Sequence, residues 1–438
     1  MPEIHGSYAN LNAVALARMP RADRQGERLP YLAFLIFIFI VLATGSAAKY
    51  PWNYIVKVSG IVLVLAYAIR SLMARTSLSP EVLLYLGWIM WSMTGLIAGA
   101  NLTIYRVGLV TVFQIWVLLA VIAGYTNCRR VLSFNLFAFL VGSFIVWFSG
   151  VATGSFGEAL VTDVRATGMS MDPNGFGWLM IVATVTMAYF WMLPSRLGPA
   201  KYVLLAMGMT GAGAATILSG SRFAIVGMTL FYLFWIWLCY RREIFKRPSV
   251  LAMVLLGLAL GVSGFAYLAG RTVAGERLQK TWRRLSGQVT EGGDAGRIAI
   301  YKDALSVVGQ HPVFGVGLNN YRLHSPGLTV AHSEYTEIAA DTGVPGFVIY
   351  FAIYLILWRR AGKIAKHSPD PYAVKTARLM RAYLITMLLI GLGTTHYYNK
   401  TAWIIMGAFV GYSHTLWRQI RAQPVELQTI QAYQVQSA

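Results

Sequence analysis

Three arginines and one histidine are the residues of this chain that point to chemistry. Arg165 and Arg222 stand in short polar segments between apolar runs, and Arg297 follows a stretch rich in Gly and Asp. The planar guanidinium group suits bidentate contacts to phosphate oxygens. His332 stands where a helical pattern begins, and a neutral imidazole there can act as a base near pH 7. The alternatives are salt bridges for the arginines and a structural role for the histidine.

The composition indicates what must hold these residues. Of 438 residues, 57% are hydrophobic and only 12% are charged, whereas soluble domains carry about 25% charged residues. A membrane-spanning helix needs roughly 20 apolar residues. The chain is therefore predicted to be an all-α integral membrane protein with about twelve transmembrane helices. The apolar runs lie near 31–48, 52–69, 81–98, 105–125, 131–150, 175–193, 202–219, 223–240, 250–268, 344–358, 380–394 and 401–417.

The net charge of +20 would favour nucleic-acid binding in a soluble protein. Here most Lys and Arg residues lie in alternate short loops, and such basic loops remain on the cytoplasmic side of a membrane. We therefore expect no nucleic-acid partner and two cytoplasmic termini. The three arginines and His332 are expected on the outward face, where the charge bias does not explain the arginines.

The longest outward segment divides the chain into three parts. Residues 1–268 hold an N-terminal tail and nine predicted spans, residues 269–343 form a loop domain, and residues 344–438 hold three more spans and a cytoplasmic tail. Long outward loops in compact membrane proteins usually carry function. The loop domain is therefore where we expect part of the site.

The loop domain has helical and turn patterns of its own. A basic amphipathic pattern over 277–284 suits a helix lying in the lipid headgroup layer. A second helical face runs over 298–308, a Gly-rich turn follows at 314–321, and a short helix is predicted from His332 to about Gly343. These short helices and turns would position His332 and Arg297.

Metal and cofactor chemistry have no support in the sequence. No outward cluster of His, Asp or Glu has the spacing of a metal site. The Gly-x-Gly at 315–317 follows no predicted strand, which argues against a dinucleotide site. We therefore expect neither a metal nor a cofactor.

Four motifs, taken in order, make the chain resemble the O-antigen ligase family and its polymerase relatives. Their order and spacing, the number of predicted spans and the place of the long loop all agree with that family. One departure is Ser333, since the family often has Asn after the histidine. The motifs are Arg165…Gly168…Asp172-Pro-Asn174, Gly220-Ser-Arg222, Gly296-Arg297 with Phe314–Tyr321, and His332-Ser-Glu-Tyr335 ending at Gly343–Gly346.

The resemblance implies a metal-independent, inverting glycosyltransferase with a GT-C-like membrane architecture. Such an enzyme takes a finished O-antigen from undecaprenyl diphosphate and transfers it to a sugar hydroxyl of lipid A–core, on the periplasmic face of the bacterial inner membrane. It implies that Arg222 and Arg297 bind the donor diphosphate and that His332 activates the acceptor. Arg165 is the third candidate for binding the diphosphate. The accessory candidates are Asn174, Tyr321 and Glu334.

Other functions fit parts of the sequence. An O-antigen polymerase or a protein O-oligosaccharyltransferase would use the same donor chemistry with another acceptor. A lipid-linked glycan transporter would place polar residues at mid-membrane, whereas here the candidates collect at one face. Membrane lipids are expected partners in every case, and the sequence leaves the oligomeric state open.

Overall fold

The computed structural model describes residues 60–65, 78–97, 100–161, 164–168, 172–248, 294–325 and 330–422, with single positions between 263 and 283. At residues 161 and 294–298 the structure describes the helical backbone but not the side chains. The described part is all-helical. Its main helices are α1 (Pro80–Ser92), α2 (Leu102–Tyr125), α3 (Arg129–Ala152), α4 (Ser155–Val161), α5 (Pro173–Met192), α6 (Ala200–Leu218), α7 (Arg222–Lys246), α8 (Asp294–Gln310), α9 (Tyr321–His324), α10 (Glu334–His367), α11 (Pro371–Ile390) and α12 (Lys400–Ala422).

Within the described residues, six helices are long and apolar enough to cross a membrane. They are α2, α3, α5, α6, α7 and α10, and five of them lie where spans were predicted between 105 and 240. Their length fits a hydrocarbon layer of about 30 Å at 1.5 Å per residue. The prediction of an all-α membrane protein is thereby confirmed in its coarse form.

The predicted number of spans is not confirmed. The runs at 31–48 and 250–268, and most of 52–69, lie outside the described residues. The run at 81–98 forms the shorter helix α1, which continues as a 3₁₀ turn to Leu96. Helices α11 and α12 overlap the last two predicted spans, although α11 begins nine residues before the predicted start at 380. Both are too polar to count among these six helices.

One end of the helix bundle is basic. Arg129 at the start of α3 forms a salt bridge of 3.9 Å with Asp370, which caps the start of α11. Buried Arg360 on α10 contacts Glu81 on α1 at 2.9 Å. A buried ion pair of this kind costs desolvation, and removing one partner leaves a buried charge. The pair therefore fixes how α1 meets α10 at this end, which we name the basic end.

The other end of the bundle is where α5, α7 and α10 begin. Small residues bring α5 and α7 together there: a Cβ on Gly177 would lie 2.7 Å from the Cβ of Ala224. Close contact through small residues is a common way for membrane helices to pack. We name this end the cavity end, because the candidate site described below lies there.

Helix α10 is sharply kinked near its start. Gly343 has φ 70° and ψ 177°, a conformation essentially restricted to glycine. Pro345 cannot donate the main-chain hydrogen bond that would reach the carbonyl of Asp341. That carbonyl instead accepts from the N–H of Gly317, at 2.8 Å, and the Val344 N–H donates to Pro312 at 2.8 Å. The kink therefore docks the Gly-rich segment 312–317 onto α10.

This geometry predicts a specific sensitivity at Gly343. A Cβ there would lie 2.0 Å from the carbonyl oxygen of Val313, and the backbone conformation alone costs on the order of 1–3 kcal/mol for other residues. We expect Gly343→Ala to lower the melting temperature of the purified protein in detergent. Gly309→Ala is the matched control, because a Cβ at Gly309 in α8 has no atom within 4 Å. Equal melting temperatures for the two variants would contradict this description of the kink.

Candidate active site

The Gly-rich loop 314–321 is held by one buried carboxylate. Asp341 is 1% exposed, and it accepts the backbone N–H groups of Asn319 at 2.7 Å and Tyr321 at 2.9 Å. A Cβ on Gly315 would lie 2.5 Å from the main chain of Asp341. The glycine therefore allows the loop to approach α10. These contacts give the loop a structural function.

Glu337, through its carboxylate, and Glu334, through its backbone, fix the turn before α10. Glu337 accepts the N–H of Ala331 at 3.1 Å and the hydroxyl of Tyr397 at 3.1 Å. Glu334 donates its own N–H to the carbonyl of Gly391 at 2.8 Å. The residues on both sides of His332 are thus bonded to fixed partners. The backbone of His332 has little freedom to move.

His332 itself adopts an unusual conformation. Its φ is 54°, in the left-handed region that residues other than glycine occupy rarely, although histidine is enriched there. Such a conformation costs on the order of 1–3 kcal/mol and persists only where neighbouring bonds enforce it. Strain of this kind gathers at functional sites. The half-buried side chain of His332 lines a cavity.

The cavity has a volume of about 300 Å³ and lies at the cavity end of the bundle. Its walls are the first turns of α5 and α7, His332, and the connection between α11 and α12. The lining residues are Asp172, Asn174, Gly175, Trp178, Ser221, Phe223, Ala224, His332, Ile390, Gly393, Thr394, Thr395, His396 and Asn399.

Several helices begin at this cavity. Helix starts carry a partial positive charge and orphan N–H groups, which suits an anionic ligand. At α5, Asp172 accepts the N–H groups of Asn174 at 2.9 Å and Gly175 at 3.1 Å, so its carboxylate offsets that helix end. Ser221 caps α7 as a neutral residue, and its hydroxyl accepts from Ala224 at 3.4 Å. The start of α7 therefore keeps its positive character, with Arg222 as its first residue.

Arg165 and Asn174 contact each other. The Nη2 of Arg165 donates to the Oδ1 of Asn174 at 2.8 Å, and its Nε donates to the carbonyl of Ser219 at 2.8 Å. The arginine thus joins the start of α5 to the turn before α7. Gly220 in this turn has φ 61°, a backbone conformation that favours glycine. Arg165 lies beside the cavity wall that Asn174 forms.

Arg222 and Arg297 occupy different positions relative to the cavity. Arg222 lies between the lining residues Ser221 and Phe223, and is half-buried. Arg297 lies in α8, and its side chain is outside the described residues. Four residues further along α8, the hydroxyl of Tyr301 donates to the carbonyl of Leu392 at 3.1 Å. That bond places α8 against the connection that borders the cavity.

Tyr321 and Glu334, the other accessory candidates, are buried away from the cavity lining. Tyr321 is 1% exposed, and its hydroxyl donates to the carbonyl of Ile300 at 2.9 Å. The carboxylate of Glu334 accepts the hydroxyls of Tyr350 and Tyr354 and the N–H of His396. Both side chains are therefore engaged in holding the loops in place.

The match with known families falls on this region. Residues 208–351 match the family model described as O-antigen ligase. The resemblance found in the motifs is thereby confirmed for this segment. A search of curated proteins found no significant match.

The segment that matches the O-antigen ligase model runs from α6 into α10. It includes Arg222, Arg297 and His332, while Arg165 and Asn174 precede it. Members of this family are glycosyltransferase-like membrane enzymes, ligases or polymerases. Among the described residues, no group of three or more His, Cys, Asp or Glu is arranged to hold a metal ion.

His396 is a cavity residue that sequence reasoning missed. It is 3% exposed, and its ring stacks on that of Trp178 with the centroids 4.3 Å apart. Its backbone N–H donates to the carboxylate of Glu334 at 2.8 Å. Burial lowers the pKa of His396 to about 3, so its ring is neutral throughout the physiological range. The sequence shows only a short outward turn there. The sequence did place Trp178 and His396, two residues with ring side chains, near the outer ends of predicted helices, which could have indicated that they meet.

The role of Tyr397 can be tested directly. Its hydroxyl lies 3.1 Å from Glu337 Oε1 and 3.2 Å from Asp341 Oδ2, so Tyr397→Phe removes a donor from two buried carboxylates. Leaving such groups short of a donor costs roughly 1–3 kcal/mol. We expect a lower melting temperature and weaker activity. Tyr85→Phe is the control, because the buried Tyr85 hydroxyl has no partner in the described residues. Equal behaviour of the two variants would contradict this positioning role.

Proposed function

We propose that this protein is an O-antigen ligase of the bacterial inner membrane. It transfers a polysaccharide from undecaprenyl diphosphate to a sugar hydroxyl of lipid A–core, with inversion at the anomeric carbon and without a metal. The reaction takes place at the cavity end of the bundle, on the periplasmic face. Both termini lie in the cytoplasm.

The observation that carries the proposal is the position of His332. It is a histidine in a left-handed conformation that lines a cavity at the starts of α5 and α7. The family match covers the same residue and Arg222. A basic side chain, positive helix ends and an imidazole are what transfer from a diphosphate to a hydroxyl requires.

The reaction can be written with these residues. The acceptor hydroxyl attacks the anomeric carbon from the face opposite the diphosphate, and His332 takes the hydroxyl proton. The bond between the anomeric carbon and the phosphate oxygen breaks, and undecaprenyl diphosphate leaves with the electron pair. Arg222 and Arg297, with the start of α7, stabilise the charge that develops on this leaving group. Arg165 holds Asn174 and the turn before Arg222 in place.

His332→Ala tests the base. The variant should fold and bind donor, while transfer falls by roughly 10²- to 10⁴-fold, the range for losing a general base. In cells, carrier-linked glycan should accumulate and lipid A–core should remain bare. In vitro transfer with purified donor and acceptor gives the rate.

The pH dependence of transfer separates His332 from His396. A base must be neutral, so the wild-type rate should fall toward acidic pH as His332 becomes protonated. His396→Gln should keep this acidic limb, because the pKa of His396, about 3, lies far below it. Near-normal transfer by His332→Gln at several pH values would exclude the base role, since a carboxamide can hydrogen-bond but cannot take the proton.

Arg222→Lys tests the donor site. Lysine keeps the charge but loses the planar fork, so a bidentate phosphate contact should weaken and the KM for donor should rise. Arg106→Lys is the control, because Arg106 is an exposed arginine near the start of α2. That start is fixed by the backbone N–H of Asn101, which donates to Oδ1 of Asn320 at 2.8 Å. Full activity of Arg222→Lys with unchanged donor affinity would assign Arg222 a structural role.

A polymerase of the same family would share the donor chemistry. Lipopolysaccharide from a deletion strain separates the two functions. Loss of a ligase leaves bare core, whereas loss of a polymerase leaves core with a single repeat unit. A ligase phenotype in the deletion strain, rescued by the wild-type chain but not by His332→Ala, is the outcome expected here.

A further inference from the structure

A second pocket lies near the basic end of the bundle and is lined by five cationic side chains. Its volume is about 230 Å³. Three helices contribute the charges: α7, α10 and α11. The residues are Arg241, Arg242, Lys366, Arg378 and Arg381.

Membrane orientation does not account for all of these charges. The orientation signal is set by basic residues in loops, whereas Arg378 and Arg381 lie in the body of α11, which runs from Pro371 to Ile390. Helix α11 packs against the candidate spans α5, α7 and α10. Ionisable residues inside such a bundle are costly and mark ligand or ion sites.

Within the described part of the chain, the five cationic side chains lack an anionic partner. No carboxylate of the described residues forms a salt bridge with any of them. The guanidinium of Arg381 lies 4.0 Å from the ring centroid of Trp358, and its buried Nε has no hydrogen-bond partner in the described part of the chain. Stacking on an aromatic ring fixes the plane of an arginine. Its N–H edge then remains available to an oxygen ligand.

The pocket and the candidate active site lie near opposite ends of α7. Along α7, Ala224 lines the cavity and Leu238 lines the basic pocket. Fourteen residues of helix separate them, or roughly 20 Å at 1.5 Å per residue, against a hydrocarbon layer of about 30 Å. Long arginine side chains reach from this depth to the headgroup layer. The basic pocket is thus within reach of the headgroups of the opposite leaflet.

The surface beside the pocket is apolar and aromatic. Trp237 is 52% exposed and Phe245 is 71% exposed, and both lie on α7 close to Arg241. The Arg241 guanidinium lies 5.6 Å from the Trp237 ring. Such a surface suits acyl chains, and a basic pocket between membrane helices suits a phospholipid headgroup.

From these observations we propose that the basic pocket binds the phosphate group of an anionic phospholipid, in the leaflet opposite the candidate active site. The phosphate oxygens accept from Arg378 and Arg381, and the other three cations surround them. The acyl chains lie against α7 beside Trp237. This site does not depend on the proposed ligase activity.

The test uses the full-length protein purified in detergent. Its melting temperature is measured after adding phosphatidylglycerol, phosphatidylcholine or inorganic phosphate at equal phosphate concentration. A ligand that binds only the folded state raises the melting temperature. We expect a rise with phosphatidylglycerol alone. The double variant Arg378→Gln/Arg381→Gln should lose roughly half of that rise or more.

Two further variants keep the result interpretable. Arg359→Gln/Lys363→Gln removes the same charge from α10 outside the pocket and should keep the full rise. Arg241→Gln/Arg242→Gln changes exposed pocket residues with little risk to folding and should also lose part of it. Equal rises in all variants would overturn the proposal. An equal rise with inorganic phosphate, lost in the same pocket variants, would overturn the lipid as the source and leave a free phosphate site.

Discussion

Three buried carboxylates at the start of α10 must each find hydrogen-bond donors, and the cavity end of the fold is built around that requirement. Glu334, Glu337 and Asp341 are between 1% and 3% exposed. A buried charged group without donors is far more costly than one that is bonded. Here the donors come from three separate loops and from tyrosine hydroxyls. Satisfying the carboxylates therefore fixes the loops that border the site.

The consequence for the cavity is a rigidly held imidazole, that of His332, near the start of α7. Glu337 holds the N–H of Ala331 and Asp341 holds the Gly-rich loop, so neither carboxylate lines the cavity with His332. Their carboxyl groups are turned toward the protein interior. The cavity itself is lined by the His332 imidazole, by the start of α7 with its neutral cap, and by Asp172, which caps α5.

Apolar run length predicted α2, α3, α5, α6 and α7 well, because a helix that crosses a membrane must satisfy its backbone internally and bury apolar residues along its whole length. The buried polar network was not predicted. Its bonds join residues far apart in the chain, such as Glu334 with His396, and no periodic pattern reports such contacts. The spacing of Glu334, Glu337 and Asp341 was a usable signal, since i, i+3 and i+7 lie on one helix face.

The motif residues thus fall into two groups: those that contact only the protein interior and those that line the cavity. Gly315, Gly343 and Tyr321 are required by close packing, backbone conformation or burial, and their contacts are with the protein. His332 also has a demanding conformation, but it lines the cavity. A residue that is costly to hold and faces a cavity is explained by its function there, whereas a costly residue facing the interior is explained by the fold. By this criterion the Gly-rich loop is a support for His332, and the reacting groups are to be sought at His332 and at the start of α7.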